Sequence, residues 1–563
     1  MLFNSYEFIF LFLPITLFVF YVLSRRSGVG MALYWLVLAS LFFYGWWKPE
    51  YLVLILGSVI VNFLVGDGLV KMDKQNERRM RRLLFVTGIL GNLAAIGYFK
   101  YANFFVDNVN VAFSTSFHLE AIILPLGISF FTFQQIAYLV DAYKGQAEEH
   151  SFRNYSLFVT FFPQLIAGPI VHHKEMMPQF FDLGLRNRWT ENLVVGLAIF
   201  SLGLFKKVVI ADGVAPYANS VFDLAESGQT IYMLEAWAGS LAYTMQMYFD
   251  FSGYSDMALG LARMFGIRLP LNFNSPYKAT NIIDFWRRWH MTLTRFLTSY
   301  VYNPVSIPLT RHAMLSRMGT WQTFWITITL PVLVTFFLSG IWHGAGWTFI
   351  VWGLLHGFYI VVNHAWITLR KQVGWYSKKK TWYGQWAGRL LTFIAVVVSF
   401  AYFRAESLDG AHRVLAGMFG LNGIMLPKAW LYSHPGLAEQ LAQFGVIFDY
   451  VPMLGQTFPP IRDLMLLAGV DMTIAWEAMV PAIPAIIMLL PVVAIAFFFP
   501  NTQQIMSRYD PALEHSGVKI TPLTKLSGVR WFVHPVWALV MGCVAAYATF
   551  GGSGVTQFLY FNF

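Results

Sequence analysis

Apolar stretches of membrane-spanning length recur along almost the whole chain, near residues 6–24, 29–47, 51–66, 83–99, 121–140, 155–171, 190–205, 231–250, 321–342, 347–369, 386–403, 481–500 and 531–550. A helix needs about 20 mainly apolar residues to cross the hydrocarbon of a bilayer, and only helices or closed barrels satisfy their backbone there. The fold expected is therefore all-α and polytopic, with roughly 11–13 transmembrane and re-entrant helices. Composition agrees: 57% of the 563 residues are hydrophobic and 12% charged, against roughly 25% charged in soluble domains. That balance excludes a soluble enzyme, a disordered chain and a nucleic-acid module. The net charge of +10 falls in short clusters between apolar runs, where Lys and Arg set topology and meet anionic membrane lipids. Cys543 is the single cysteine, so there is no disulfide framework and no multi-cysteine metal site.

The first apolar segment ends at Arg25-Arg26 without a small-residue cleavage site, and is expected to stay as a membrane anchor. The positive-inside rule places Arg25-Arg26, the run Lys71 to Arg82, and the loop with Arg370, Lys371 and Lys378 to Lys380 in the cytoplasm. The N- and C-termini are then outside. Residues 1–404 and 481–563 read as one membrane-embedded domain, and 405–480 as an extracytoplasmic loop or small helical subdomain. Helix breakers inside apolar sequence, at Leu124 to Gly127 and at Pro163 to Pro169, predict broken or re-entrant helices whose freed backbone groups face protein or water.

Polar groups inside a membrane are expensive, so they are the first candidates for function. The densest set runs from Tyr248 to Arg295 and includes Asp250, Ser252, Asp256, Asp284, Trp286, Arg287, Arg288 and His290. Asp284 and Arg288 are spaced to pair on one helical face. For Asp250, Asp256, Asp284 and Arg288 the plainer reading is internal ion pairing that holds broken helices together. The second region is Leu338 to Trp347, where His343 follows Trp342 and is flanked by Gly340, Gly344 and Gly346. A neutral imidazole is cheaper to bury than a carboxylate or an ammonium, and it takes and returns a proton near neutrality. His343 is thus the general base that a membrane site would use at least expense, with the glycines expected to leave room around it. His172-His173 reads as a loop at the membrane surface. No HExxH pattern accompanies His343, His356 and His364, and no metal is expected. Walker, GxGxxG and GxSxG motifs are missing as well.

Seven ordered strings carry a resemblance: Gly127–Gln134 (GISFFTFQ), Phe162–Ile170 (FPQLIAGPI), Gly203–Asp212 (GLFKKVVIAD), Phe251–Ala258 (FSGYSDMA), Phe285–His290 (FWRRWH), Gly340–Ala345 (GIWHGA) and Tyr402–Ala405 (YFRA). With these the chain resembles the bacterial membrane-bound O-acyltransferases that acetylate alginate, cellulose and peptidoglycan; residues of about 420–480 fall outside the resemblance. It implies a ring of helices around a thinned centre, with a cytoplasmic and an outer funnel. It also implies that His343 matches the family's catalytic histidine and His290 a second, more variable position. The donor is then acetyl-CoA or another acyl thioester, the acceptor a polysaccharide, and an extracytoplasmic partner protein makes the final transfer. Trp286, Arg287, Arg288, Asp284, Trp342, Ser252 and Asp256 are expected to line the funnel or position the donor. His290, or a backbone amide near Gly344, would polarise the thioester carbonyl. The bacterial inner membrane is the implied location.

The last residues, Phe558-Leu559-Tyr560-Phe561-Asn562-Phe563, resemble a short Phe-x-Tyr-x-x-Phe motif found in relatives and in a small companion of the D-alanylation system. That likeness implies that Tyr560 carries the acyl group outward, with Phe558 and Phe563 as anchors. A phenol on a flexible tail after Gly551 to Gly554 would give a cytoplasmic thioester a stop on its way to an external sugar. An aromatic belt at the interface explains the same residues without chemistry. Two other functions compete: D-alanyl transfer from a carrier-protein thioester, and transport of polysaccharide or lipid. Transport predicts pseudo-symmetric halves, yet neither Trp-Arg-Arg-Trp-His nor Trp-His-Gly recurs.

Overall fold

The computed structural model describes residues 1–74, 77–147, 151–181, 185–377, 381–427, 435–449, 482–513, 535–551 and 556–559. Among them, seven helices are long and apolar enough to cross a membrane: Glu7–Arg26, Tyr51–Asp73, Arg78–Phe113, Arg188–Glu226, Thr320–His343, Trp347–Gln372 and Trp382–Arg404. Shorter apolar helices lie at Val29–Gly45, Met488–Phe498 and Leu539–Phe550. Outward side chains such as Phe18, Phe105 and Leu391 are large, apolar and exposed, as on a surface solvated by lipid. The chain is an all-α, multi-pass membrane protein; a parallel pair of three-residue strands, Met425–Pro427 against Ile447–Asp449, is the one sheet among the described residues.

One expected span is longer than its apolar run. The stretch near 83–99 continues to Phe113 through a π-helical turn at Gly97–Tyr101, a local widening of the kind that often marks functional sites. Both expected breaks are present. The Ile128–Tyr143 helix starts only after Gly127, whose φ of +73° favours glycine, and a Cβ there would lie 2.9 Å from Leu165 O. The two broken segments therefore touch. Their freed backbone is satisfied by protein: Phe162 N–H donates to Ser40 Oγ (3.1 Å) and Ile170 N–H to Thr292 Oγ1 (3.0 Å).

At the centre stands the Met233–Met264 helix, in which every residue from Ala242 to Met264 is buried. Polar residues on it such as Asp250 and Asp256 point into protein rather than lipid. The Leu185–Phe205 helix crosses it at two glycine contacts. A Cβ on Gly196 would meet Gly260 O at 2.6 Å, and one on Gly203 would meet Gly253 O at 2.6 Å. Such close backbone approach is how membrane helices pack without a hydrophobic driving force. It delivers the following π-helical turn, Lys206–Ala211, onto the acidic face of the central helix.

Candidate active site

His343 is the last residue of the Leu330–His343 helix, at the tip of a hairpin with Trp347–Gln372. Gly340 and Gly353 let the two arms meet: a Cβ on Gly340 would lie 2.4 Å from Phe349 O and one on Gly353 2.3 Å from Phe336 O. A Cβ on Gly344 would strike the Phe349 ring at 2.1 Å. Gly340 and Gly344 thus pack the hairpin tightly, which corrects the expectation that they leave open room. The imidazole sits edge-on among Trp342 (4.8 Å between centroids), Trp352 (4.9 Å) and Phe403 (5.2 Å).

A helix end leaves its last carbonyls without intrahelical donors. Here two side chains of the 97–101 turn supply them. Tyr101 OH donates to Ile341 O (2.9 Å), and Lys100 Nζ donates to Trp342 O and to His343 O (3.4 Å). A cation at this end also complements the helix dipole. Lys100 further lines a cavity of about 60 Å³ beside His343, walled by the Leu124–Phe130 bend, Ile166 and Trp342. Sequence reasoning missed both residues; the available signal was a lone lysine in the apolar run after Leu83.

His290 lies on the other side of Trp342, 6.1 Å between ring centroids. Its φ of +40° is rare for a side-chain-bearing residue, and it caps the Met291–Leu297 helix. Asn272 holds it there. Asn272 Nδ2 donates to Ser255 Oγ (3.2 Å), leaving Oδ1 to accept from Thr292 Oγ1 (2.9 Å) and from His290 Nδ1 (2.9 Å). With Oδ1 turned to the ring, the imidazole proton is assigned to Nδ1 and the lone pair to Nε2. Phe251 meets the ring edge-on at 4.8 Å.

The other predicted residues divide. Trp342 joins the two histidines, stacked on Phe133 at 5.4 Å. Trp286 instead packs on His356 and donates to its Nδ1 (3.3 Å), while Ser399 Oγ meets His356 Nε2 at 2.8 Å. Both nitrogens of His356 are thus engaged by protein. Asp284 and Arg288 form the expected i,i+4 pair (2.9 Å), half-exposed at the bend after Asn272, and Arg287 is exposed. Ser252 is buried on the central helix. Asp256 is bound by Lys206 (2.6 Å), Thr502 (2.6 Å) and Gln503 (3.0 Å), the internal ion pairing that had been weighed against function. His172-His173 is not a surface loop: His173 is buried with Nδ1 3.6 Å from Asp141 Oδ2, and His172 stacks on Tyr300. Among the described residues no three His, Cys, Asp or Glu side chains are grouped to hold a metal.

The C-terminal residues also depart from expectation. Tyr560 and Phe563 lie outside the described residues; of 556–559, Phe558 is buried, Thr556 and Leu559 are half-buried and Gln557 is exposed, so the segment lies against the protein at its aromatic ring. Phe558 is buried, edge-on to Tyr254 at 4.7 Å, one helical turn from the Phe251 that touches His290.

The profile of MBOAT, the membrane-bound O-acyltransferase family, matches residues 115–404, which contain both histidines, six of the seven strings of the resemblance and all but the last residue of the seventh. The peptidoglycan O-acetyltransferase of Helicobacter pylori is 43% identical over 460 residues, covering 76% of this chain and 81% of the relative. The probable alginate O-acetylase of Azotobacter vinelandii is 38% identical over 425 residues, 74% of this chain and 78% of the relative. A teichoic acid D-alanyltransferase of Streptococcus thermophilus is 27% identical over 288 residues, 49% of this chain and 68% of the relative.

Proposed function

The chain belongs to the membrane-bound O-acyltransferase family, and from that premise we propose that it moves an acetyl group from a cytoplasmic thioester, acetyl-CoA or a carrier-bound equivalent, to hydroxyls of an exported or cell-wall polysaccharide. The observation that carries this reading is the pair of buried histidines on either side of Trp342, one at a side-chain-capped helix end and one fixed by Asn272. Acetyl is preferred to D-alanyl because the acetylating relatives match at 43% and 38% identity over most of the chain, while the D-alanyl relative matches about half of it. The small cavity beside His343 also suits a two-carbon acyl group.

In this mechanism His343 removes the proton from an attacking hydroxyl, whose oxygen bonds to the thioester carbonyl carbon. The C–S bond breaks, and the imidazolium returns the proton to the departing thiolate. A His290 ring protonated at Nδ1 alone cannot donate from Nε2. It orients the hydroxyl through that lone pair instead of polarising the carbonyl. The first hydroxyl is that of Tyr560: the phenyl ester formed keeps enough transfer potential to pass the acetyl to a sugar alcohol, with the phenol re-formed as leaving group. An extracytoplasmic partner makes that second transfer. The reading includes an inner-membrane location, both termini and the 405–480 segment outside, and a helix ring with funnels on each side.

His343→Ala tests it. The protein is expected to insert at normal levels and polymer acetylation to fall by a factor of about 10² to 10⁴, the usual contribution of a general base. Acetylation within a few-fold of normal at matched protein levels would refute the mechanism.

A further inference from the structure

Lys207 is 1% exposed and sits between two carboxylates, Asp250 Oδ1 at 2.6 Å and Asp212 Oδ1 at 2.8 Å. One buried cation between a buried carboxylate, Asp250, and a largely covered one, Asp212, leaves a charge over and several polar valences to fill. In a membrane interior such groups are a strain on the fold unless each finds a partner. The partners here come from the chain's far end. Lys207 Nζ donates to Gln557 O (2.9 Å), Leu559 N–H donates to Asp250 Oδ2 (3.1 Å), and Thr556 Oγ1 donates to Asp212 Oδ2 (2.5 Å). Each carboxylate thus spends one oxygen on the lysine and the other on the tail. The ammonium also lies over the Phe558 ring, 4.9 Å from its centroid, a cation–π contact strengthened where water is excluded.

From this the geometry points to Lys207, Asp212 and Asp250 as a clamp that docks the C-terminal segment against the central helix, one helical turn from the Phe251 ring that touches His290, making them positioning residues for the tail. The proposal rests on the reading of that tail as acyl carrier for its purpose, but not for its geometry. Two of the contacts are to backbone atoms, so the clamp holds the tail's path largely independently of its side chains. Asn4 Nδ2 adds a further bond to Thr556 O (3.0 Å). The clamp is assembled by the glycine crossing: a Cβ on Gly253 would lie 3.1 Å from Lys207 N, so bulk there would push the lysine off the central helix.

The test uses the full-length protein in membranes, with Cys543→Ser to remove the single, exposed cysteine and Leu559→Cys as a reporter that keeps its N–H. Labelling by a membrane-impermeant maleimide is expected to be slow in that background and at least tenfold faster after Lys207→Met. Because Lys207→Met strands two carboxylates and can fail to assemble, Thr556→Val serves as a tail-only variant, expected to speed labelling severalfold, with Thr556→Ser restoring protection. Unchanged labelling in Thr556→Val and in any well-assembled Lys207→Met protein would overturn the clamp. Tyr560→Phe separates the two ideas: retained acetylation there ends the carrier reading, while the labelling rates still decide the clamp.

Discussion

Asp250 and Asp256 lie six residues apart in the buried stretch of the same helix, and the chain satisfies them from different sources. Asp256 is closed by Lys206, Thr502 and Gln503. Asp250 is closed by Lys207 and by the backbone of Leu559 at the end of the chain. Adjacent lysines on one π-helical turn therefore serve two centres, one locked among helices and one completed by a terminal segment. A centre made only of fixed elements holds the bundle together. A centre that needs the tail couples the bundle to the tail's position, and that position lies one helical turn from the ring touching His290.

The comparison breaks most visibly at Asp256. Asp256→Ala leaves the largely covered Lys206 without its carboxylate and Thr502 and Gln503 without their acceptor, and losing one member of a fully buried pair costs about 3–5 kcal/mol, an upper bound here. Yield of monodisperse protein and thermal unfolding in detergent are expected to collapse; a stable, normally inserted variant would show that this centre is dispensable. Asp250→Asn keeps an acceptor for Leu559 and discharges the pair, so the bundle is expected to survive while acetylation drops by an order of magnitude or more. Equal instability in the two variants would erase the distinction. Lys100→Met removes the cap on the carbonyls of Trp342 and His343. Helix-end charge interactions reach about 2 kcal/mol when partly buried, so a decline in turnover of about tenfold is expected, with donor affinity little changed. Arg287→Ala, at an exposed position, is expected to leave stability and acetylation unchanged, since surface substitutions rarely exceed about 0.5 kcal/mol.

Much of the membrane plan was legible, because hydrophobic length and helix breakers are local properties. Pro163 and Gly127 announced broken helices, and Asp284 with Arg288 announced a pair, each within a few residues. The rest depends on partners far apart in sequence. Gly196 and Gly203 carry meaning only against Gly260 and Gly253, and Tyr101 caps Ile341 across 240 residues. His356 and His343 look alike as buried histidines on one hairpin, yet only the fold shows Trp286 and Ser399 engaging both nitrogens of the first. The glycine run before the tail suggested freedom. The triad that holds residues 556–559 is spelled by Lys207, Asp212 and Asp250, and nothing in their local spacing points to the C-terminus.

The central claim is that the tail delivers the acyl group, and Tyr560→Phe addresses it most directly, because it keeps the aromatic ring and removes only the nucleophilic oxygen. Polymer-bound acetate, measured in cells carrying matched amounts of inserted protein, is expected to fall to background in that variant while the donor still binds. Acetate at the normal level with phenylalanine at 560 would contradict the account and leave the sugar hydroxyl to attack the thioester directly.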